Sequence, residues 1–490
     1  MSIPITGVIL IPLGLLIAVL PWRYCLMGLV PFAMMSPAAV VNVGSFGIQP
    51  GYYLAILLIC RTAVEIMVNR FTLNSFALAR MRPLFYFATV AFIALFIALC
   101  FFQGQVETLR GTSGFKANLA SPFHLDRENF TQVAYLIENI CLVYILAHQG
   151  ARQAFPILLK DWDRAMVCGL WFSAAVCLWQ FASLYGGLYF PSDFFYSNAG
   201  YNRADSQSMV GLFRINGPFE EPSTLGYAFT GFLLFAWLRY RLYPTAFSVA
   251  MIAACIFCML VSTSTTAYFG GFLFGCIVLY DVAAQRLHLL SKDFRLSSGQ
   301  IAAIAIIVVA VLGGGFIVAR NWEAIDAILQ MTIFQKSESS SFQQRAFADT
   351  LGIQVFMQTY GIGLGLGSHK PNSLVIALLS NTGIVGTVLF GTWLYILLRP
   401  IRGPFDSATL AMLRRAIRPF QWGVLGLVFI HVFSNPNLST MNLWVQMAGL
   451  LALQTSLHRG IALSRAESVS PLAANLHERQ PTRRPQGSPI

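Results

Sequence analysis

Two clusters of polar residues in this sequence stand at the edges of apolar runs. In the first, Arg345 opens an amphipathic segment and a glycine-rich turn follows (Gly361, Gly363, Gly365, Gly367). Ser368-His369-Lys370-Pro371-Asn372 then leads directly into an apolar stretch. In the second, Arg214, Glu220, Glu221, Pro222, Ser223 and Thr224 precede another apolar stretch. A guanidinium presents a planar fork of donors matched to phosphate oxygens and stays charged at any working pH. A carboxylate or imidazole placed beside it can take a proton from a hydroxyl. Charges at the lip of a membrane span are costly unless they contact something. The chemistry these types suit is the handling of an anionic, hydroxyl-bearing substrate at a membrane surface.

Arg345 and Arg214 are the leading candidates for anion binding, with Arg203 in the same loop as Arg214 and Lys370 beside the glycine turn. The alternative for each is a loop cation reaching lipid headgroups. Glu220 and Glu221 are candidate general bases, although acids near a helix N-terminus also stabilise it through the dipole. Pro222, Ser223 and Thr224 read as the first turn of a helix, whose free N–H groups suit a phosphate or sugar oxygen, so Ser223 joins the binding set. His369 is a third candidate base. Asn372 is either a substrate ligand or a cap for the following helix. No His/Cys/Asp/Glu cluster has metal-ligand spacing, and there is no diacid, Walker or nucleophile-elbow motif.

The elements that must position these groups are membrane helices. The chain has 490 residues, 56% hydrophobic and 11% charged, with a mean hydropathy of +0.65. Apolar runs fall near 4–20, 24–42, 51–68, 84–103, 130–148, 165–184, 224–239, 246–262, 265–283, 300–319, 373–398, 420–436 and 440–457. Each is about long enough to cross a hydrocarbon core. They do not alternate as barrel strands would. The reading is an all-α, polytopic transmembrane bundle of 12–14 spans, in which the first run is a retained helix rather than a signal peptide.

The net charge of +12 is a matter of topology and not a nucleic-acid footprint. With the intervening loops taken alternately, one set carries 22 of the 32 basic residues and the other 9, including every candidate arginine above. That bias predicts the first set to be cytoplasmic and the site-bearing set to face outward, with the C-terminus cytoplasmic. The nine cysteines fall within or at the edge of apolar runs, where they read as small core residues. Arg61 and Glu65, four apart inside a run, are expected to neutralise each other.

Residues 1–464 read as one membrane domain and 465–490 as a disordered tail. The long outward segments are 104–129, 185–223 and 320–372. Phe342–Gln358 reads as an amphipathic helix along the membrane surface, with Phe342, Phe347, Leu351, Val355 and Phe356 on its apolar side.

Two blocks resemble the superfamily of O-antigen ligases and polymerases. One is R-x-x-G-P-F-x-x-P-S-x-L-G at Arg214–Gly226. The other comprises Arg345, G-x-G-x-G-S at Gly363–Ser368, and N-S-L-x-x-x-L-L-x-x-x-G-I-x-G at Asn372–Gly386. The Ser262–Ser264 turn lacks the arginine that family members often carry there. The resemblance covers residues 200–395. It implies a GT-C-like, metal- and cofactor-independent membrane glycosyltransferase of the bacterial inner membrane, with periplasmic loops forming its active site. Its substrates would be undecaprenyl-pyrophosphate-linked glycans as donor and acceptor, elongated into O-antigen or exopolysaccharide. A chain-length regulator and export machinery are its implied partners. Many ligases carry a His-Asn pair eleven residues before the glycine matching Gly383. Here that position is Asn372, followed by serine, and the nearest histidine is His369, which favours polymerase over ligase. A flippase or transporter for lipid-linked sugars is the alternative from outside the enzymes.

Overall fold

The computed structural model describes all residues except 45, 70–73, 111–119, 202–207, 210–211, 290–339, 400–406, 435–436 and 479–490. Among the described residues the chain is mostly helical. Its helices are α1 (Ile5–Val19), α2 (Trp22–Met34), α3 (Pro50–Asn69), α4 (Ser75–Phe101), α5 (Arg127–Gly150), α6 (Phe155–Gly186), the single turn α7 (Ser192–Phe195), α8 (Pro222–Leu242), α9 (Ala246–Val261) and α10 (Thr265–Leu289). After the undescribed stretch come α11 (Ser340–Gln358), α12 (Leu374–Leu398), α13 (Ser407–Ser434) and α14 (Met441–Glu478). Twelve of the thirteen apolar runs coincide with one of these helices; the run 300–319 lies outside the described residues.

Six of the helices are long and apolar enough to cross a membrane: α3, α4, α5, α6, α12 and α13. This supports an all-α membrane protein, with six such spans among the described residues against the 12–14 expected for the whole chain. α1 and α9 are apolar but have only 15 and 16 residues. α2 stops at Met34, and the rest of the run expected at 24–42 turns into a hairpin. α8 and α14 mix polar side chains into the bundle, with Thr230, Asn442, Gln446 and Gln454 all buried.

The helices pack as α8 on α13, α14 on α5, α12 on α4 and α2 on α6. Fully buried aromatic rings fix the centre, where Phe87 meets Phe390 at 5.2 Å and Trp393 stacks on Trp444 at 5.7 Å. Among the described residues, strands are confined to short hairpins of two- and three-residue strands: β1 (Val41–Val43) with β2 (Phe46–Ile48), β3 (Glu107–Thr108) with β4 (Ser121–Pro122), and β5 (Ser208–Met209) with β6 (Leu212–Phe213). Ser2 pairs with Asn42 through two backbone hydrogen bonds of 2.9 Å, so the N-terminus sits at the β1–β2 end of the bundle.

At the C-terminal ends of α1, α3 and α5 the expected ion pair forms. Arg61 Nε donates to Glu65 Oε1 at 2.8 Å, and Arg61 also donates to the Ala18 carbonyl. Glu65 accepts further from Gln149 at 2.8 Å and Arg152 at 3.0 Å. One expectation is corrected. α11 packs against α12 with Ala348, Leu351 and Val355 buried, while Phe342 and Phe347 are exposed, so the apolar side is narrower than the pattern suggested. α14 is drawn as far as Glu478, and residues 479–490 of the expected tail lie outside the described residues.

Candidate functional site

α12 is broken. Gly383 has φ 67° and ψ −170°, a conformation essentially restricted to glycine. In an apolar environment the groups freed by such a break must find partners. The glycine-rich turn supplies them: Leu364 N–H donates to the Ser380 carbonyl at 3.0 Å, Gly365 N–H to the Asn381 carbonyl at 2.7 Å, and Ile384 N–H to the Gly361 carbonyl at 3.0 Å. This approach leaves no room for side chains. A Cβ on Gly383 would lie 2.2 Å from the Gly361 oxygen, and one on Gly363 2.7 Å from the Asn381 backbone. Gly383→Ala is therefore expected to cost about 2–4 kcal/mol from backbone strain and overpacking, read as a lowered thermal midpoint of the detergent-purified protein.

Side-chain amides then lock the turn. Asn381 Oδ1 accepts from the backbone N–H groups of Ser368 and His369, both at 3.1 Å, and its Nδ2 donates to the His369 carbonyl at 2.8 Å. Asn129, in the capping box of α5, donates to the Leu366 carbonyl and Ser368 Oγ, both at 2.8 Å. Neither asparagine was singled out in the sequence, since each acts on a segment more than ten residues away.

The turn holds one edge of a cavity of about 600 Å³. Glu220, Glu221, Ser223, Arg345, His369, Lys370 and Asn372 all line it, so seven of the nine expected site residues come together. The N-termini of α5, α8 and α12 end on it, which adds partial positive charge. The loops that contribute all belong to the set with fewer basic residues. Arg203 lies outside the described residues. Arg214 is half-buried and not part of the lining, but it is close enough to Arg345 and Glu221 for their charges to act on it. Burial lowers its pKa, with Glu221 opposing and Arg345 reinforcing the shift.

Arg345 is half-buried in the lining and, among the described residues, makes no hydrogen bond or ion pair. Lys370 is exposed to the cavity, its charge acting on Glu220 and on Glu128 of α5. Burial, reinforced by the charge of Glu221, pushes the Glu220 carboxyl up to about 7, while Lys370 and the Thr224 hydroxyl pull the other way. Thr224 Oγ1 donates to Glu220 at 3.4 Å and Ser223 Oγ to Glu221 at 3.0 Å. These hydroxyls orient carboxylates and do not cap α8, whose N-cap Glu221 makes no side-chain cap bond.

His369 is corrected as a candidate base. Its Nδ1 accepts from Leu109 N–H at 3.1 Å and its Nε2 faces the Ala348 carbonyl at 3.0 Å, which fixes the neutral, Nε2-protonated tautomer. Burial pushes its pKa down to about 4. With no lone pair left over, the ring ties the glycine turn to α11 and the β3 end. Asn372 does not cap α12 through its side chain. Its Nδ2 donates to the Phe433 carbonyl at 3.0 Å, and Asp349 of α11 accepts from the backbone N–H groups of Asn372 at 2.6 Å and Ser373 at 3.0 Å. Among the described residues no group of three or more His, Cys, Asp or Glu is placed to hold a metal.

Compared with family models, curated proteins and solved structures, the chain matches none.

Proposed function

We propose that the protein is a bacterial polysaccharide polymerase, a glycosyltransferase that joins undecaprenyl-pyrophosphate-linked repeat units at the periplasmic face of the inner membrane. One observation carries this reading: Arg345 and Lys370 from one outward segment and Glu220 from another, more than a hundred residues away, meet in one cavity. Arg345 and Lys370 bind the donor's pyrophosphate, and Arg214 adds field from behind. The mutual repulsion of Arg214 and Arg345 is relieved when an anion enters, and preorganised cations favour the charge that builds on the leaving group. Glu220 accepts the proton of the acceptor hydroxyl as that oxygen bonds to the donor's anomeric carbon and undecaprenyl pyrophosphate departs. A carboxylate with a pKa near 7 suits a general base at neutral pH. Glu221 holds the field around it.

A carrier for lipid-linked sugars would use the break in α12 as a binding element, as discontinuous helices do in transporters. Here the carbonyls of Ser380 and Asn381 are already taken by Leu364 and Gly365, which argues against that use.

The test is reconstitution of the purified protein in vesicles with undecaprenyl-pyrophosphate-linked repeat units and no nucleotide. A ladder of longer lipid-linked glycans is expected. Transfer only to lipid A core would instead make it a ligase, and movement of the unit across the bilayer without elongation would overturn the enzyme reading.

A further inference from the structure

One face of α5 takes no part in the chemistry above. Glu128, Gln132 and Tyr135 are spaced i, i+4 and i+7, so they share one side of the helix, and all three line the cavity. The other faces are accounted for: Asn129, Leu136 and Ile140 are buried in the bundle, and Phe130 and Ile137 are exposed. Among the described residues, the Glu128 carboxylate, the Gln132 amide and the Tyr135 hydroxyl make no hydrogen bond. An amide and a phenol without hydrogen-bond partners, beside a carboxylate that feels the charge of Lys370, call for a partner rich in hydroxyls.

The aromatic part of this face is rigid. Tyr135 stacks on Tyr52 with centroids 4.2 Å apart, and Tyr52 is held by its donation to the Ser439 carbonyl at 2.7 Å. Phe46 of β2 flanks the same ring at 6.1 Å. Tyr201, also in the lining, is fixed by a 2.9 Å hydrogen bond from Gln49 Nε2 to its hydroxyl. Glu220 lies close enough to Tyr201 and to Lys370 to interact electrostatically with both. From Glu128 to Tyr135 the helix rises about 10 Å, longer than one pyranose ring.

The geometry points to a carbohydrate subsite on α5, in which Tyr135 offers its ring to the C–H face of a sugar while Gln132 and Glu128 bind its hydroxyls. Resting on the polymerase reading, this subsite holds the acceptor glycan and presents its attacking hydroxyl to Glu220, opposite in role to the pyrophosphate site at Arg345.

Binding tests it without turnover. The full-length protein in nanodiscs is mixed with the methyl glycosides of glucose, galactose, mannose, rhamnose and N-acetylglucosamine, and saturation transfer to their ring protons is measured by NMR. Inorganic pyrophosphate is followed separately by phosphorus line broadening. At least one glycoside should receive saturation, and Gln132→Ala and Tyr135→Ala should each weaken its binding at least tenfold. Tyr135→Phe, which keeps the ring, should lose less. Arg345→Ala should leave glycoside binding intact and abolish pyrophosphate broadening, with the reverse pattern in Gln132→Ala. Pyrophosphate binding without saturation of any glycoside would overturn the subsite and spare the polymerase reading. Glycoside binding that requires Gln132, with no pyrophosphate binding, would keep the subsite and overturn the donor assignment. Glycoside binding unchanged in both Gln132→Ala and Tyr135→Ala would place the sugar elsewhere.

Discussion

Arg345→Ala should reduce polymer formation by about 10²–10³-fold, the usual cost of removing one preorganised group that stabilises developing charge, while the protein still inserts and purifies normally. Two observations set this expectation. Arg345 lines the cavity and, among the described residues, makes no hydrogen bond or ion pair, so the fold does not lean on its head group. Its charge acts on that of Arg214, so substitution removes a repulsion that the fold tolerates. The free protein should therefore be as stable as the parent or slightly more so, and the whole loss should appear in turnover. Arg345→Lys keeps the charge but not the planar fork, and is expected to restore only part of the activity. The measurement is the rate of glycan elongation in vesicles together with the thermal midpoint. Parental elongation in Arg345→Ala would remove the arginine from the mechanism, and a collapsed midpoint would make its role structural.

The sequence was informative where the physics is local. Hydrophobic length located twelve helices because a bundle helix must hide its backbone whatever it packs against. Loop charge grouped Arg345, Lys370 and Glu220 on one side, and the cavity draws on that one set of loops. What stayed hidden depends on remote partners. Nothing near His369 in sequence announces that Leu109 and Ala348 consume both ring nitrogens, and Asp349 reaches the start of α12 only because α11 folds back on it. The stripe Glu128, Gln132, Tyr135 had a signal, polar groups at helical spacing at the head of an apolar run. Its meaning depends on what α5 faces, and a single helix cannot specify that.

Glu220→Gln should lower elongation by at least 10²-fold, the scale of a lost general base, and should remove the pH dependence that the parent shows. With its carboxyl pushed up to about 7, Glu220 is protonated at pH 6 and ionised at pH 8, so parental activity should climb through neutrality with a midpoint near 7. Stability should run the other way. A carboxyl whose folded value exceeds its unfolded one binds protons more tightly in the native state, so its contribution is complete below the unfolded value, near 4.5, and is lost as pH rises through about 7. The thermal midpoint of the parent should thus fall across the limb on which activity rises, and Glu220→Gln, which mimics the protonated form, should flatten that fall. The opposing trends belong to one group: ionising it builds the base and leaves a poorly solvated, half-buried negative charge beside Glu221, with Lys370 as a counter-charge acting on it. A flat activity profile in the parent, or a profile that persists in Glu220→Gln, would move the base elsewhere. Because both nitrogens of His369 are engaged by the backbone, the next carboxylate to test in that case is Glu221, held by Ser223 at 3.0 Å.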